Sequence, residues 1–193
     1  MSHDELPPSA WVERWAPLIG AGEVLDLACG RGRHARWLAA RGHKVVALDR
    51  DRDALASLES VANVETLCAD LESGGPWPLG TRRFSGIVVA NYLHRPLFKD
   101  LIDALAPGGV LLYETFMAGN ERYGKPSNPD FLLRPGELIE SFGGALAVVA
   151  FEQGTVTRPR TAVVQRLCAR KGSAAEVTLV EFHAFALPRR RTP

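Results

Sequence analysis

Several things are scarce or missing in this 193-residue chain, and each absence removes a class of protein. Cysteine occurs three times, at Cys29, Cys68 and Cys168, with no CxxC pair. Three thiols cannot all pair internally, so a disulfide scaffold is excluded and reduced thiols in a cytoplasmic protein are expected. His3, His34, His43, His94 and His183 show no metal-ligand spacing with cysteine or acid partners, so no metal site is expected. Net charge is nearly absent, at +1. Such a chain has no global field to hold a polyanion, which argues against nucleic acid as a partner. The longest aliphatic runs, such as Ala145 to Phe151, are too short to span a bilayer, so no membrane association is expected. Met1 to Pro8 contains Asp4 and Glu5 and no apolar stretch, unlike a signal peptide. Nothing in the residues bears on oligomeric state.

What is present suits one domain. The length supports one hydrophobic core, and 46% hydrophobic with 23% charged residues is ordinary for a globular chain. No repeat is visible, and the glycine- and proline-rich stretch 72–80 reads as a surface loop. A single domain over 1–193 is therefore expected, with a helical cap over 1–20 and a flexible tail over 186–193.

Apolar runs alternate with helical periodicity. Strands are expected at Val24–Ala28, Lys44–Asp49, Val64–Cys68, Phe84–Ala90 and Val110–Glu114. Helices are expected between them: Arg33–Arg41 stopped by Gly42, a second capped by Asp51 and reaching Val61, and a third opened by Pro96 and reaching Leu105. A short helix over Pro135–Ser141 follows, then strands at Ala145–Phe151 and Thr161–Leu167 and an extra apolar segment at Val177–Phe185. Strands apolar on both faces and alternating with helices specify an α/β fold, a doubly wound, mostly parallel seven-stranded Rossmann-like sheet. Residues 152–160 are too few for a parallel crossover, so the C-terminal strand pair should be antiparallel.

In such sheets a ligand sits beyond the carboxyl ends of the strands, at the switch point. The first strand ends in Asp26-Leu27-Ala28-Cys29-Gly30-Arg31-Gly32. Gly30 to Ala35 matches the G-x-G-x-x-A pattern of dinucleotide sites. Asp26 shifts the balance: a carboxylate there repels a pyrophosphate and attracts a cation such as the ammonium and sulfonium of S-adenosylmethionine. The alternative is that Asp26 caps the turn. Asp49 ends the second strand, where an acid can take ribose hydroxyls. Asp70 follows the third strand and can accept from an adenine amino group, or serve as a turn cap.

With these residues in place, the chain resembles the class I S-adenosylmethionine-dependent methyltransferases. Val24 to Gly32 resembles their first motif, Val46-Ala47-Leu48-Asp49 the second-strand motif, Ala69-Asp70-Leu71 the adenine-side motif, and Leu105 to Leu111 the turn into the fifth strand. In size it is similar to the tellurite-resistance and thiopurine-type small-molecule methyltransferases. The resemblance implies S-adenosylmethionine as cofactor. It places Asp26, Ala28, Cys29, Gly30 and Gly32 at the methionine end, Asp49 and Arg50 at the ribose, Asp70 and Leu71 at the adenine, and Asn91 and Tyr92 beside the methyl donor. Ala28 departs from the pattern, since the family motif has glycine there. Its Cβ predicts a negative φ.

The acceptor side is less specified. Methyl transfer is an in-line displacement that needs no dedicated base if the acceptor is already nucleophilic. Asn91-Tyr92-Leu93-His94 differs from the Asn/Asp-Pro-Pro-Tyr/Phe run of amino-nitrogen methyltransferases, which argues against adenine or glutamine amide acceptors. His94 is the candidate catalytic base, or a residue bonded to nearby backbone. The long segment Glu114 to Phe131 reads as a binding loop, with Glu114, Phe116, Arg122 and Tyr123 as substrate-pocket candidates and Lys125 as a further cation. Trp11 and Trp15 lie on the N-terminal helix, either over the donor pocket or packing that helix on the core. A small-molecule acceptor is the leading expectation. An NAD(P)-dependent oxidoreductase, a non-catalytic S-adenosylmethionine-binding module and an RNA methyltransferase using the arginines at 158–171 remain alternatives.

Overall fold

The computed structural model describes residues 7–173. The apolar segment Val177–Phe185, the tail over 186–193 and the first six residues of the expected cap lie outside them. Among the described residues seven strands form one sheet: β1 (Glu23–Leu27), β2 (Lys44–Asp49), β3 (Val64–Cys68), β4 (Phe84–Ala90), β5 (Leu105–Phe116), β6 (Ala147–Val156) and β7 (Ala162–Arg170). Their spatial order is β3-β2-β1-β4-β5-β7-β6. β1 to β5 pair in parallel. β7 lies between β5 and β6 and runs antiparallel to both. The chain winds outward from β1 through β2 to β3, then returns to lay β4 on the other side of β1. The switch point thus falls between β1 and β4, at the glycine loop.

Helices cover both faces. Helices α1 (Ala10–Trp15), α2 (Arg33–Ala39) and α3 (Arg52–Ala56) bury Trp11, Val12, Trp15, Ala35, Leu38 and Leu55 against Val24, Val45, Ala47, Val88 and Leu112. Helices α4 (Phe98–Ala104) and α5 (Glu137–Phe142) bury Leu101, Leu138 and Phe142 against Leu25, Leu48, Ile87, Leu111 and Tyr113. Alternate residues of each central strand feed the two cores, which is why these strands read as continuous apolar runs.

Most boundaries shift by a few residues from the sequence-based expectation, β6 running on to Val156 and β7 to Arg170, and three of the differences have a clear local form. The helix capped by Asp51 ends at Ala56 rather than reaching Val61. The Asp51 carboxylate does cap it, accepting from the amides of Asp53 and Ala54 at 3.0 Å each, and Leu58 is buried in an irregular turn beyond its end. The helix opened by Pro96 begins as one 3-10 turn, Arg95–Leu97, closed by the Leu97 amide donating to the His94 carbonyl at 3.1 Å. Strand β5 starts at Leu105 rather than Val110. Pro107-Gly108-Gly109 does not end it but bulges within it, as the register jumps from Phe84–Leu105 to Gly86–Val110.

Candidate active site

The site is built on the carboxyl ends of β1, β2 and β4. The sheet ladder continues past them: the Cys29 amide donates to the Leu48 carbonyl (3.0 Å), Ala69 to Asp49 (3.0 Å) and Asn91 to Glu114 (2.8 Å). The loops after β1, β3 and β4 are thereby held at fixed heights around one groove. Ala28, Leu48, Asp49, Arg50, Ala69, Asp70, Leu71, Glu72 and Tyr92 line it, around a cavity of about 200 Å³ that opens to solvent.

The glycine loop is left-handed at three places. Gly30 has φ +54 and Gly32 φ +74, values that an L side chain adopts only with strain. A Cβ on Gly32 would stand 2.5 Å from Leu58 Cδ1, so the loop is packed from behind, whereas a Cβ on Gly30 would meet nothing within 4 Å. The third position is Ala28, with φ +53. This overturns the expectation of a negative φ: the loop keeps the backbone of a glycine motif, and the alanine bears the strain. Ala28→Gly is therefore expected to stabilise the fold, by up to about 1 kcal/mol after the entropy gained by the unfolded glycine is subtracted. The urea midpoint measures it, and a lower midpoint would refute it.

The three acids sit differently. Asp49 is half-buried at the groove. Its Oδ2 accepts from the Gly30 amide at 2.7 Å and its Oδ1 from the Asp51 amide at 2.9 Å. Asp70 is exposed on the groove wall, its Oδ1 accepting from the Glu72 amide at 2.9 Å. Asp26 is not on the groove surface. It is 1% exposed, and its Oδ2 accepts from the Ala35 amide at 2.8 Å, pinning the start of α2 under β1. Burial pushes its carboxyl up to about 7, against the lowering effects of the Ala35 hydrogen bond and the Arg33 charge. Cys29 is pushed well above the usual thiol range by burial and by the Asp26 and Asp49 carboxylates. It therefore stays protonated and is no nucleophile.

On the far wall, the Tyr92 hydroxyl is raised above its usual range by burial and then by Glu72. The Tyr92 carbonyl accepts from the buried Tyr113 hydroxyl at 3.1 Å. Asn91 takes φ +58 at the end of β4, a turn asparagine tolerates. His94 is half-buried and lies outside the lining of the groove; its carbonyl accepts from the Leu97 amide at 3.1 Å.

The substrate-pocket candidates do not converge as one cluster. Trp11 is buried under α1, its indole N–H donating to the Leu167 carbonyl at 3.3 Å and its ring edge-on to Trp15. Glu114 is buried in an ion pair with Arg166. Phe116 packs with Leu132, Ala162 and Val164, and the Arg160 guanidinium lies 5.4 Å from its ring centre. Arg122 and Tyr123 are exposed on the loop beyond β5. That loop is not irregular throughout. It carries 3-10 turns at Asn120–Arg122 and Pro129–Phe131. The buried Asn120 side chain ties it down, donating to the Pro126 carbonyl (3.0 Å) and accepting from the Val163 amide (3.2 Å).

Sequence reasoning missed Glu72, Asn120 and Arg95. Arg95 forms two hydrogen bonds to Glu137, at 2.6 and 3.0 Å, and donates to the Asp130 and Leu132 carbonyls. It thereby joins the loop after β4 to the loop after β5. An arginine just past a strand end was the available signal, but its partners lie 35 to 42 residues away.

Comparison with known proteins agrees with this geometry. A methyltransferase-domain family matches residues 24–109. The chain is 28% identical over 182 residues to the trans-aconitate 2-methyltransferase of Rhizobium meliloti, covering 88% of this chain and 65% of that protein. It is 30% identical over 163 residues to the trans-aconitate 2-methyltransferase of Sinorhizobium fredii, covering 78% of this chain and 58% of that protein. The chain thus spans less than two thirds of the length of either relative. The solved structure of TehB from Haemophilus influenzae has the same fold, with a TM-score of 0.74 at 19% identity over 88% of this chain and 64% of that one. A switch-point groove on a parallel sheet closed by one antiparallel strand is the class I methyltransferase architecture. Residues 24–109 of the chain are thus similar to a methyltransferase domain, and the fold around them is one that solved S-adenosylmethionine-dependent methyltransferases share. Among the described residues no helix is long and apolar enough to cross a membrane, and no cluster of acids, histidines and cysteines is arranged to hold a metal.

The residues fit the family's donor. The space over Gly30 lets a ligand approach the loop backbone. Asp49 offers a half-buried carboxylate at the end of β2, and each of its oxygens keeps a second lone pair.

Proposed function

We propose that the protein transfers the methyl group of S-adenosylmethionine to a small-molecule acceptor. The observation that carries this reading is the placement of Asp49 and Asp70 on one groove that the left-handed Ala28 also lines, with Asp26 buried behind that loop. In this reading Asp49 takes the ribose hydroxyls, with Arg50 beside it. Asp70 and Leu71 border the adenine. Ala28, Cys29, Gly30 and Gly32 approach the methionine end, and Asn91 and Tyr92 flank the reacting carbon. Asp26 contributes its charge from behind and does not touch the ligand.

The bound donor supplies an electrophilic methyl carbon on a sulfonium. The protein's own work is to hold donor and acceptor in line and to keep water out. A carboxylate acceptor needs no base; for an acceptor that must lose a proton, His94 is the candidate. We favour small carboxylic acids as acceptors. The two relatives are named for trans-aconitate, and the acceptor edge of this chain carries Arg122, Lys125 and Arg160, the last donating to the Lys125 carbonyl at 3.3 Å.

Calorimetry with S-adenosylhomocysteine tests the donor half, and transfer of labelled methyl to a panel headed by trans-aconitate and other small polycarboxylic acids tests the acceptor half. Saturable binding and a methyl ester product are expected. A folded protein that binds no S-adenosylhomocysteine at millimolar concentration would overturn the reading, and stabilisation by NAD or NADP alone would favour the oxidoreductase. Donor binding without turnover would mark a binding module, and salt-sensitive RNA binding an RNA methyltransferase.

A further inference from the structure

His34 has no part in the chemistry above, yet it is buried at the start of α2, two residues past Gly32. Its Nε2 accepts a hydrogen bond from the Ser9 amide at 3.1 Å, across 25 residues of sequence. A neutral imidazole that accepts at Nε2 carries its proton on Nδ1. That Nδ1 stands 4.0 Å from Oδ1 of Asp26, the carboxylate whose other oxygen holds the Ala35 amide. Ser9 is also the N-cap of α1, its Oγ accepting from the Trp11 amide at 3.1 Å. Arg33, next to His34, donates to the Pro7 carbonyl at 3.3 Å. The segment 7–9 is therefore clasped onto the base of the donor loop by two consecutive residues of α2, and its amide sets which imidazole nitrogen faces Asp26.

We propose that His34 is a positioning residue, the middle of a Ser9–His34–Asp26 relay through which the seating of α1 and the binding competence of the donor loop become one equilibrium. The proposal rests on the donor assignment above. With the relay intact, an N–H dipole faces Asp26 and supports its ionised form, the form that attracts a cationic ligand. Without it, a buried Ser9 amide loses its acceptor, and Asp26 loses its imidazole neighbour.

The test is S-adenosylhomocysteine affinity by calorimetry in a double-mutant cycle. His34→Leu removes the acceptor at similar volume. Ser9→Pro removes the donor from the other end, and Ser9 already has a φ of −62° suited to proline. Each single variant is expected to weaken binding about tenfold, the scale of one buried hydrogen bond lost. The double variant should be no weaker than either single one. His34→Gln, whose Oε1 can stand in for Nε2, should restore affinity to within about threefold of the original. Ser9→Ala, which loses the cap but keeps the amide, should do the same. Unchanged affinity in His34→Leu and Ser9→Pro, or additive losses in the double variant, would overturn the relay while leaving the donor site standing. Absence of binding in the unmodified chain would remove the donor assignment and the relay with it. If His34→Leu fails to fold, Ser9→Pro against Ser9→Ala still reads the same hydrogen bond.

Discussion

Asp26→Asn is expected to weaken donor binding and, at pH 8, to stabilise the fold. Both effects come from one buried carboxylate. Its folded-state pKa is raised to about 7 by burial, so the folded protein binds a proton that the unfolded chain gives up near pH 4. The stability associated with this group is fully present below the unfolded value and is lost as pH rises through about 7. At pH 8 the ionised side chain then costs the fold up to about 4 kcal/mol, from roughly three pKa units at 1.36 kcal/mol each. Asparagine keeps an oxygen for the Ala35 amide and carries no charge, but its NH2 group lacks an evident partner, which returns about 1–3 kcal/mol of the gain. The net expectation is about 1–3 kcal/mol of added stability at pH 8, turning into a loss of about 1–3 kcal/mol at pH 4, where the carboxyl is already protonated and only the cost of the NH2 group remains. Urea midpoints at the two pH values measure it.

Donor binding should move the other way. A cation near the loop lowers the Asp26 pKa, so binding to the unmodified protein should tighten from pH 6 to pH 8 and then level off. In Asp26→Asn that pH dependence should vanish. Affinity for S-adenosylmethionine should fall about tenfold or more, and further than affinity for S-adenosylhomocysteine, which lacks the sulfonium charge. Equal losses for the two ligands would show that Asp26 acts only as a brace for α2.

This double character of Asp26 marks where sequence reasoning reached and where it stopped. The acid at the end of the first strand, its charge and its position at a switch point were all legible, because strands apolar on both faces announce a parallel sheet and the alternation fixes its winding. Burial was not legible. Whether Asp26 faces the groove or the Ala35 amide depends on the pitch of α2 beneath it, a contact spanning nine residues through a left-handed loop. The same loop explains the error at Ala28, since its backbone is dictated by the amides gathered around Asp49 and Leu48 rather than by the preference of alanine. The acceptor side was legible only as a list of residue types. Its order comes from pairs far apart in sequence: Asn120 with Val163, Arg95 with Glu137, Glu114 with Arg166. Helix lengths failed for a related reason. Apolar spacing continues through Leu58, but tertiary packing, not helix, is what buries it.

Asp49 carries the largest expected loss of donor binding. In the protein alone its carboxylate already serves the fold, holding the Gly30 and Asp51 amides at once. In the donor complex it is assigned the ribose as well, so removing it should act twice. Asp49→Ala deletes a charged acceptor for two hydroxyls, each such bond contributing about 1.5–3 kcal/mol, which corresponds to a hundredfold or greater loss of S-adenosylhomocysteine affinity. It also frees the Gly30 amide and with it the left-handed turn. Asp49→Asn separates the two roles. Its single carbonyl oxygen can hold the Gly30 amide and take one hydroxyl, but its NH2 group can accept neither the second hydroxyl nor the Asp51 amide. Asp49→Asn should therefore lose only about 1 kcal/mol of stability, from the Asp51 amide, while binding S-adenosylhomocysteine at least tenfold more weakly, by the loss of one charged hydrogen bond. Adenine alone, which makes no ribose contact, should bind the original protein and Asp49→Asn alike. If Asp49→Asn binds S-adenosylhomocysteine as tightly as the original protein, the carboxylate at the end of β2 belongs to the loop and the ribose lies elsewhere.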